Sequence, residues 1–315
     1  MTEQNALLSS PEDPENSPVS AKKAKLGNTR VTGKEQFYTP SQIAFSIIST
    51  VAELVPDFAS RSLLEPAGGT GAFIDAAFSV GVTEVISFDI EPHHESVVKG
   101  DFLQQHLERN DLITVSNPPF GRNHALSIPF FNHAASCSEY IVFIVPRSWR
   151  KWTILNKLDQ RFTLVRDDDL DINFVDRDGG QAFAKNNLRT CVQYWKRSEQ
   201  LRPIVKVKDM GLIKRCSFEE ADASLTIFGY GCGTIKTEFP RKKNTTQMFI
   251  QLNHPRALEA LENVDFSEFY SRTAYTEALS LMEINYLINQ YILGDPMVEY
   301  LAHRSSRRAS DETLF

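Results

Sequence analysis

The sequence predicts an α/β domain followed by a smaller α+β module, and three observations carry that prediction. An apolar run at Leu63-Leu64 passes through Glu65-Pro66-Ala67-Gly68-Gly69-Thr70-Gly71 into an apolar helix over about 72–78. That is the strand, glycine turn and helix of a parallel-sheet unit. A second strand over 84–89 ends in the carboxylate of Asp89. A third apolar run, Leu112-Ile113-Thr114-Val115, stops at Asn117-Pro118-Pro119-Phe120 and is closed by Gly121.

Taken in order, residues 1–34 are rich in Ser, Pro, Glu, Asn and Lys and hold too few large apolar groups to bury a core. They are expected to be disordered. Lys22-Lys23-Ala24-Lys25 reads either as a nuclear import signal or as a solvated tail. In Gln36-Phe37-Tyr38-Thr39-Pro40, the proline holds Thr39 extended. Ser41 is expected to cap an amphipathic helix carrying Ile43, Ala44, Ile47, Ile48, Val51 and Leu54-Val55.

In the glycine turn, Gly69 and Gly71 permit positive φ and close approach of backbone to a ligand, and Glu65 sets a carboxylate beside it. A nicotinamide-binding turn would carry a third glycine where Ile74 stands, which disfavours an oxidoreductase. Asp89 lies eighteen residues beyond Gly71, where a carboxylate can bind both ribose hydroxyls of an adenosine cofactor. An ordinary turn aspartate is the plain alternative. Asp101 can accept from an adenine amine, with Phe102 packed on the ring. His93 and His94 read as an exposed loop without metal partners.

The prolines of Asn117-Pro118-Pro119-Phe120 forbid helix and remove two backbone donors, so the turn is stiff and its carbonyls are free to accept. Asn117 offers an amide acceptor and two donors, and Phe120 offers a π face. Together they can grip a planar ring carrying an exocyclic amine. A proline-rich turn after a strand is the bland alternative.

Beyond the motif, 140–146 reads as a buried strand, and 162–165 with 190–195 as a closing hairpin. The long polar connection 167–188 is expected near the site. Within it, Asp167-Asp168-Asp169 reads as a solvated run rather than a metal site, and Phe174 as a second stacking group. From Leu201 the pattern changes to short strands flanked by Arg202, Lys206, Lys208, Lys214 and Arg215. A glycine- and aromatic-rich stretch follows over 226–233. Arg241-Lys242-Lys243 precedes a strand over 248–252, and 277–293 reads as a helix. The expected divisions are 1–34, 35–200, an accessory module over 201–303, and a frayed tail over 304–315.

Composition is that of an ordinary globular chain, 42% hydrophobic and 23% charged. No apolar run approaches bilayer length, and no signal peptide is evident. Four widely spaced cysteines argue against a zinc site and a secreted disulfide framework. An intracellular, cytoplasmic setting is therefore expected, or a nuclear one if the basic cluster is read. The net charge of −6 does not advertise a nucleic-acid binder, but its distribution is uneven. Residues 196–243 hold 11 basic and 6 acidic side chains, whereas 255–315 hold 5 and 10. A local basic face is what phosphate contact needs.

Gln-Phe-Tyr-Thr-Pro, Glu-Pro-Ala-Gly-Gly-Thr-Gly-Ala-Phe, Phe-Asp-Ile-Glu-Pro, Gly-Asp-Phe and Ser-Asn-Pro-Pro-Phe-Gly follow one another in this chain. In that order, over about residues 36–195, the sequence resembles the S-adenosylmethionine-dependent amino-methyltransferases, particularly the N6-adenine type. The resemblance implies a Rossmann-like sheet of seven strands with the last antiparallel, and S-adenosylmethionine as cofactor. It places Tyr38, Thr39 and Pro40 at the methionine end of the cofactor and Glu65, Ala67, Gly69 and Gly71 beneath it. Asp89 would lie at the ribose, and Asp101 and Phe102 at the adenine. Asn117, Pro118, Pro119 and Phe120 would hold the target base. It also implies a nucleic-acid partner, DNA favoured over RNA, with the base flipped or single-stranded. The alternatives it leaves are an RNA adenine or guanine enzyme, a protein-glutamine methyltransferase, and a recognition subunit without activity. No protein partner is indicated.

Overall fold

The computed structural model describes residues 37–182 and 188–302. The expectations for 1–34, Gln36, the 183–187 part of the long connection and the tail 304–315 lie outside the described residues.

A seven-stranded sheet forms the larger part. Its strands are β1 (Leu63–Glu65), β2 (Val85–Asp89), β3 (Val98–Lys99), β4 (Leu112–Ser116), β5 (Ser138–Pro146), β6 (Phe162–Leu170) and β7 (Thr190–Arg197), in the order β3-β2-β1-β4-β5-β7-β6. β3, β2, β1, β4 and β5 run parallel, and β7 is antiparallel to both β5 and β6. The expected sheet with an antiparallel last strand is therefore present, with β7 inserted between β5 and β6.

Every residue of β1 and β4 is buried, as continuous apolar strands in a two-sided sheet require. Alternate side chains go to opposite layers. Leu63, Ile113 and Val142 pack with α1 (Ser41–Leu54) and α2 (Ala72–Ser79), while Leu64, Leu112 and Ile141 pack with α3 (Ser127–Ala134) and α4 (Trp152–Leu155).

Helix α1 begins one residue earlier than expected. Pro40 is its N-cap, with its carbonyl accepting from Ile43 and Ala44, and no side chain caps it. Proline suits a helix start because its missing N–H has no partner to lose there. Strand β6 runs on through Asp167-Asp168-Asp169, so these are not a loose solvated run. Arg150 pairs with Asp167 and Asp169, Arg147 with Asp169, and Arg166 with Asp168. Among the described residues no group of acidic, His or Cys side chains could hold a metal, and no helix is long and apolar enough to cross a membrane.

The remaining chain builds a third core. Strands β9 (Ile213–Arg215), β10 (Ala223–Thr226), β11 (Ile235–Lys236) and β12 (Gln247–Leu252) make one sheet, and β8 (Ile204–Val207) pairs with β13 (Val298–Leu301). Helices α5 (Ala257–Asn263), α6 (Ser267–Tyr270) and α7 (Leu281–Leu293) share that core. The helix expected from 277 starts only after Ser280, whose hydroxyl and backbone form a capping box with Glu283.

Several contacts fasten this core to the larger sheet, among them Arg189 with Thr273 and Tyr275 and those of residues 151 and 152. Trp152 packs on both Phe269 and Tyr286, with ring centroids 5.3 and 5.4 Å away, and the three rings form a mutual cluster. Lys151 Nζ donates to both oxygens of Glu283 at 2.9 Å, and the two side chains are only 14% and 3% exposed. Removing one partner strands the other charge in the interior. Lys151→Met is expected to lower unfolding free energy by about 3 kcal/mol, the low end for a broken buried pair, because Ser280 still donates to Glu283. Denaturant midpoints measure this; an unchanged midpoint would show that the pair contributes nothing.

Candidate functional site

At the carboxyl ends of β1, β2 and β4 the crossovers leave a cleft of about 330 Å³, within the usual range for small-ligand pockets. Its lining brings together Tyr38, Ala67, Asp89, Asp101, Phe102, Asn117, Pro118, Pro119 and Phe120. A smaller hollow of about 30 Å³ shares Tyr38, Ala67 and Asn117 with it and adds Thr39 and Glu65. Pro40, Gly69 and Gly71 line neither cavity.

The two glycines shape the turn from behind. Gly69 has φ +48° and the Tyr38 ring lies 2.6 Å from where a Cβ would stand; a Cβ on Gly71, at φ +81°, would overlap the His94 ring. His94 is thus half-buried over the turn rather than loose, with Nε2 3.2 Å from Asp75.

Asp89 fixes the turn. Its Oδ2 accepts from Gly69 N at 2.9 Å and its Oδ1 from Glu91 N at 2.8 Å. A carboxylate has about four lone-pair sites, so acceptor capacity remains on the cleft side. Asp101 caps its own turn by accepting from Leu103 N at 3.0 Å. Phe102 is 1% exposed and packs against Phe130 and His133, with ring centroids at 5.5 and 4.7 Å. It is a core side chain that also reaches the cleft wall.

Glu65 is buried and accepts from Ser116 Oγ at 2.6 Å and Ala67 N at 3.1 Å. Loss of hydration outweighs these bonds and lifts its pKa to about 8. Beside it, Thr39 Oγ1 is buried with no hydrogen-bond partner among the described residues. Burial, and then the charges of Asp89 and Glu91, push the Tyr38 phenol up to about 12.

The Glu65 shift has a sign. Protonation is tighter in the folded chain, so this group's contribution to stability is fully present below about pH 4.5 and is lost as pH rises to about 8. Glu65→Gln is therefore expected to gain melting temperature over wild type progressively across that window. A difference that does not change with pH would contradict the burial of a protonated carboxyl.

Asn117 is held by a segment eighty residues away. Its Nδ2 donates to the Phe37 carbonyl at 2.6 Å. The reverse orientation would set two oxygens against each other, so the bond settles which end of the amide is which. Oδ1 is then the end not held by Phe37. The segment itself is latched: Tyr38 N donates to Val175 O at 2.9 Å and Val175 N to Tyr38 O at 3.0 Å. The connection between β6 and β7 thus reaches the site, as expected. Phe174, however, is 1% exposed and packs on Phe37 with ring centroids 5.8 Å apart. It is a core residue and has no open face for stacking.

Phe37, Ile90, Glu91, Leu103, Leu126 and Phe130 also line the cleft and were not singled out by sequence. Ile90 and Glu91 directly follow Asp89, and position after a strand-end carboxylate is the signal that could have found them.

No family model matches this chain. It is 30% identical over 95 residues to the type II methyltransferases M.HincII and M.HindII of Haemophilus influenzae, a match that covers 29% of this chain and 18% of either relative. The chain therefore matches under a fifth of the length of those relatives. Among solved structures, a Pyrococcus horikoshii protein assigned as an RNA methyltransferase superposes with a TM-score of 0.43 at 18% identity, over 52% of this chain and 88% of its own. The 23S rRNA methyltransferase ErmE superposes with a TM-score of 0.36 at 17% identity, over 52% and 71%.

Proposed function

We propose that this chain transfers a methyl group from S-adenosylmethionine to the exocyclic N6 amine of adenine in DNA, presented flipped out or single-stranded. The observation that carries the reading is the Asn117 amide, oriented by Phe37 at 2.6 Å and set beside Pro118, Pro119 and Phe120 on the cleft.

The residues present fit the cofactor. Glu65 and the Thr39 hydroxyl, unpartnered among the described residues, share one hollow, and a cation there would relieve the cost of ionising Glu65. Asp89, at the end of β2, would accept from ribose hydroxyls, and Asp101 and Phe102 would flank the adenine. When bound, S-adenosylmethionine supplies a methyl group activated on a sulfonium.

The remaining chemistry is alignment. An aromatic amine is a poor nucleophile because its lone pair is delocalised into the ring. Asn117 Oδ1 and the Pro118 carbonyl accept its two N–H bonds, favour a more tetrahedral nitrogen, and stabilise the positive charge that develops on it. Phe120 supplies a stacking face worth about 1–3 kcal/mol per base. Glu65 is given no part in proton transfer; the methylated nitrogen sheds its surplus proton to water. The exposed Lys206, Lys214, Arg215, Lys242 and Lys243 would contact the phosphate backbone, which positions without specifying sequence, whereas Arg202 and Arg241 donate to carbonyls of their own chain.

The test is incubation with labelled cofactor and separate pools of single-stranded DNA, duplex DNA and RNA, followed by digestion and identification of the modified nucleoside. Label on N6 of deoxyadenosine is expected. Label on cytosine or on protein would overturn the adenine assignment, label only on RNA would move the substrate, and no label anywhere would favour a recognition subunit.

A further inference from the structure

The loop after the Asn-Pro-Pro-Phe motif is held in an unfavourable shape by one histidine. Asn123 and His124 have φ +54° and +64°, a left-handed conformation uncommon outside glycine, which His adopts only where its surroundings hold it. The imposing contacts are at the His124 ring. Trp149 Nε1–H donates to Nδ1 at 3.2 Å, and Nε2 lies 2.9 Å from Ser148 Oγ. An indole N–H can only donate, so Nδ1 is bare and the proton sits on Nε2, donating to Ser148. Burial, which holds this imidazole down to about 4, agrees with that neutral form.

The loop then closes back on the motif. Leu126 N and Ser127 N both donate to the Phe120 carbonyl, at 3.3 and 3.4 Å, and Phe120 and Leu126 both line the cleft. Ser148 and Trp149 belong to the turn that follows β5, two residues before Lys151 and Trp152, which fasten the C-terminal core.

We propose that His124 is a positioning residue for the target side of the cleft: its neutral ring, clamped by Trp149 and Ser148, fixes the loop that sets Phe120 and Leu126 against the incoming base. This rests on the methyltransferase reading above. Leu126 lines the same cleft as Asp89, but the hydrogen bonds that hold Asp89 and Glu65 come from Gly69, Glu91, Ala67 and Ser116, so both carboxylates keep their partners when the loop relaxes and cofactor affinity is expected to change little.

Two variants test it. His124→Ala is expected to lower kcat for methyl transfer at least 10-fold, with cofactor Kd within 2-fold of wild type. Amide hydrogen exchange at Leu126 and Ser127 should rise at least 10-fold while β4 stays protected. His124→Asn keeps an acceptor for Trp149 and tolerates left-handed backbone, and it should restore kcat to within 3-fold. Wild-type kcat in His124→Ala, or unchanged exchange in the loop, overturns the proposal. So does loss of cofactor binding together with activity in both variants, which would make the ring a general scaffold. If the wild-type protein methylates nothing, the functional reading fails instead; exchange still decides whether the ring holds the loop.

Discussion

Asn117→Ala is expected to reduce methyl transfer by about 1000-fold or more while S-adenosylmethionine still binds. On the proposed mechanism the side chain supplies an acceptor at the atom where charge develops, and removing one preorganised polar group at such a point costs about 10²–10³ in kcat. Here it also removes the bond that ties the motif to Phe37, so the effect falls at or beyond the top of that range. Asn117→Asp separates the two roles. It keeps acceptor oxygens but turns a carboxylate against the Phe37 carbonyl, and it should be as inactive as the alanine variant. Equilibrium binding of labelled cofactor beside a single-turnover assay reads both quantities. Transfer at the wild-type rate by the alanine variant would remove Asn117 from the mechanism.

The second large effect lies at the other end of the cleft. Asp89→Ala is expected to weaken S-adenosylmethionine binding about 100-fold. The carboxylate anchors Gly69 N and Glu91 N, and hydrogen bonds to a charged group contribute about 1.5–3 kcal/mol each. Its loss relaxes the glycine turn and deletes the proposed ribose acceptor together; about 2.7 kcal/mol corresponds to two decades in affinity. At saturating cofactor kcat should recover most of its value, the reverse of Asn117→Ala. A Kd within 3-fold of wild type would mean that Asp89 serves only the turn.

What the sequence disclosed follows from which groups carry their chemistry in the side chain. Glu65, Asp89 and Asn117 stand at strand ends where a polar residue breaks an apolar run, and all three line the cavities. Phe37 could not be found that way, because it acts through a carbonyl that any residue supplies. Phe174 was misread as a stacking group for the opposite reason: its aromatic type is visible in the sequence, its burial is not. Leu126 and Phe130 look like any other core residues. Helix α3 was not expected from the sequence; it carries Pro129 in its first turn, where no backbone donor is lost. Strand β13 pairs with β8, some ninety residues earlier, and has no local signal to announce the pairing.

The bridge between Tyr38 and Val175 bears on the order in which the protein can be made. Synthesis runs from the amino end, so Phe37 emerges long before Asn117, and Asn117 long before Val175. A nascent chain that has just completed β5 holds the motif and the strands around it, yet the partner that secures the Phe37 segment has not been translated. Closing so long a loop is entropically costly and comes late. The cleft would thus be finished only after residue 175, and a ribosome stalled before it should display the parallel strands β1 to β5 without cofactor binding.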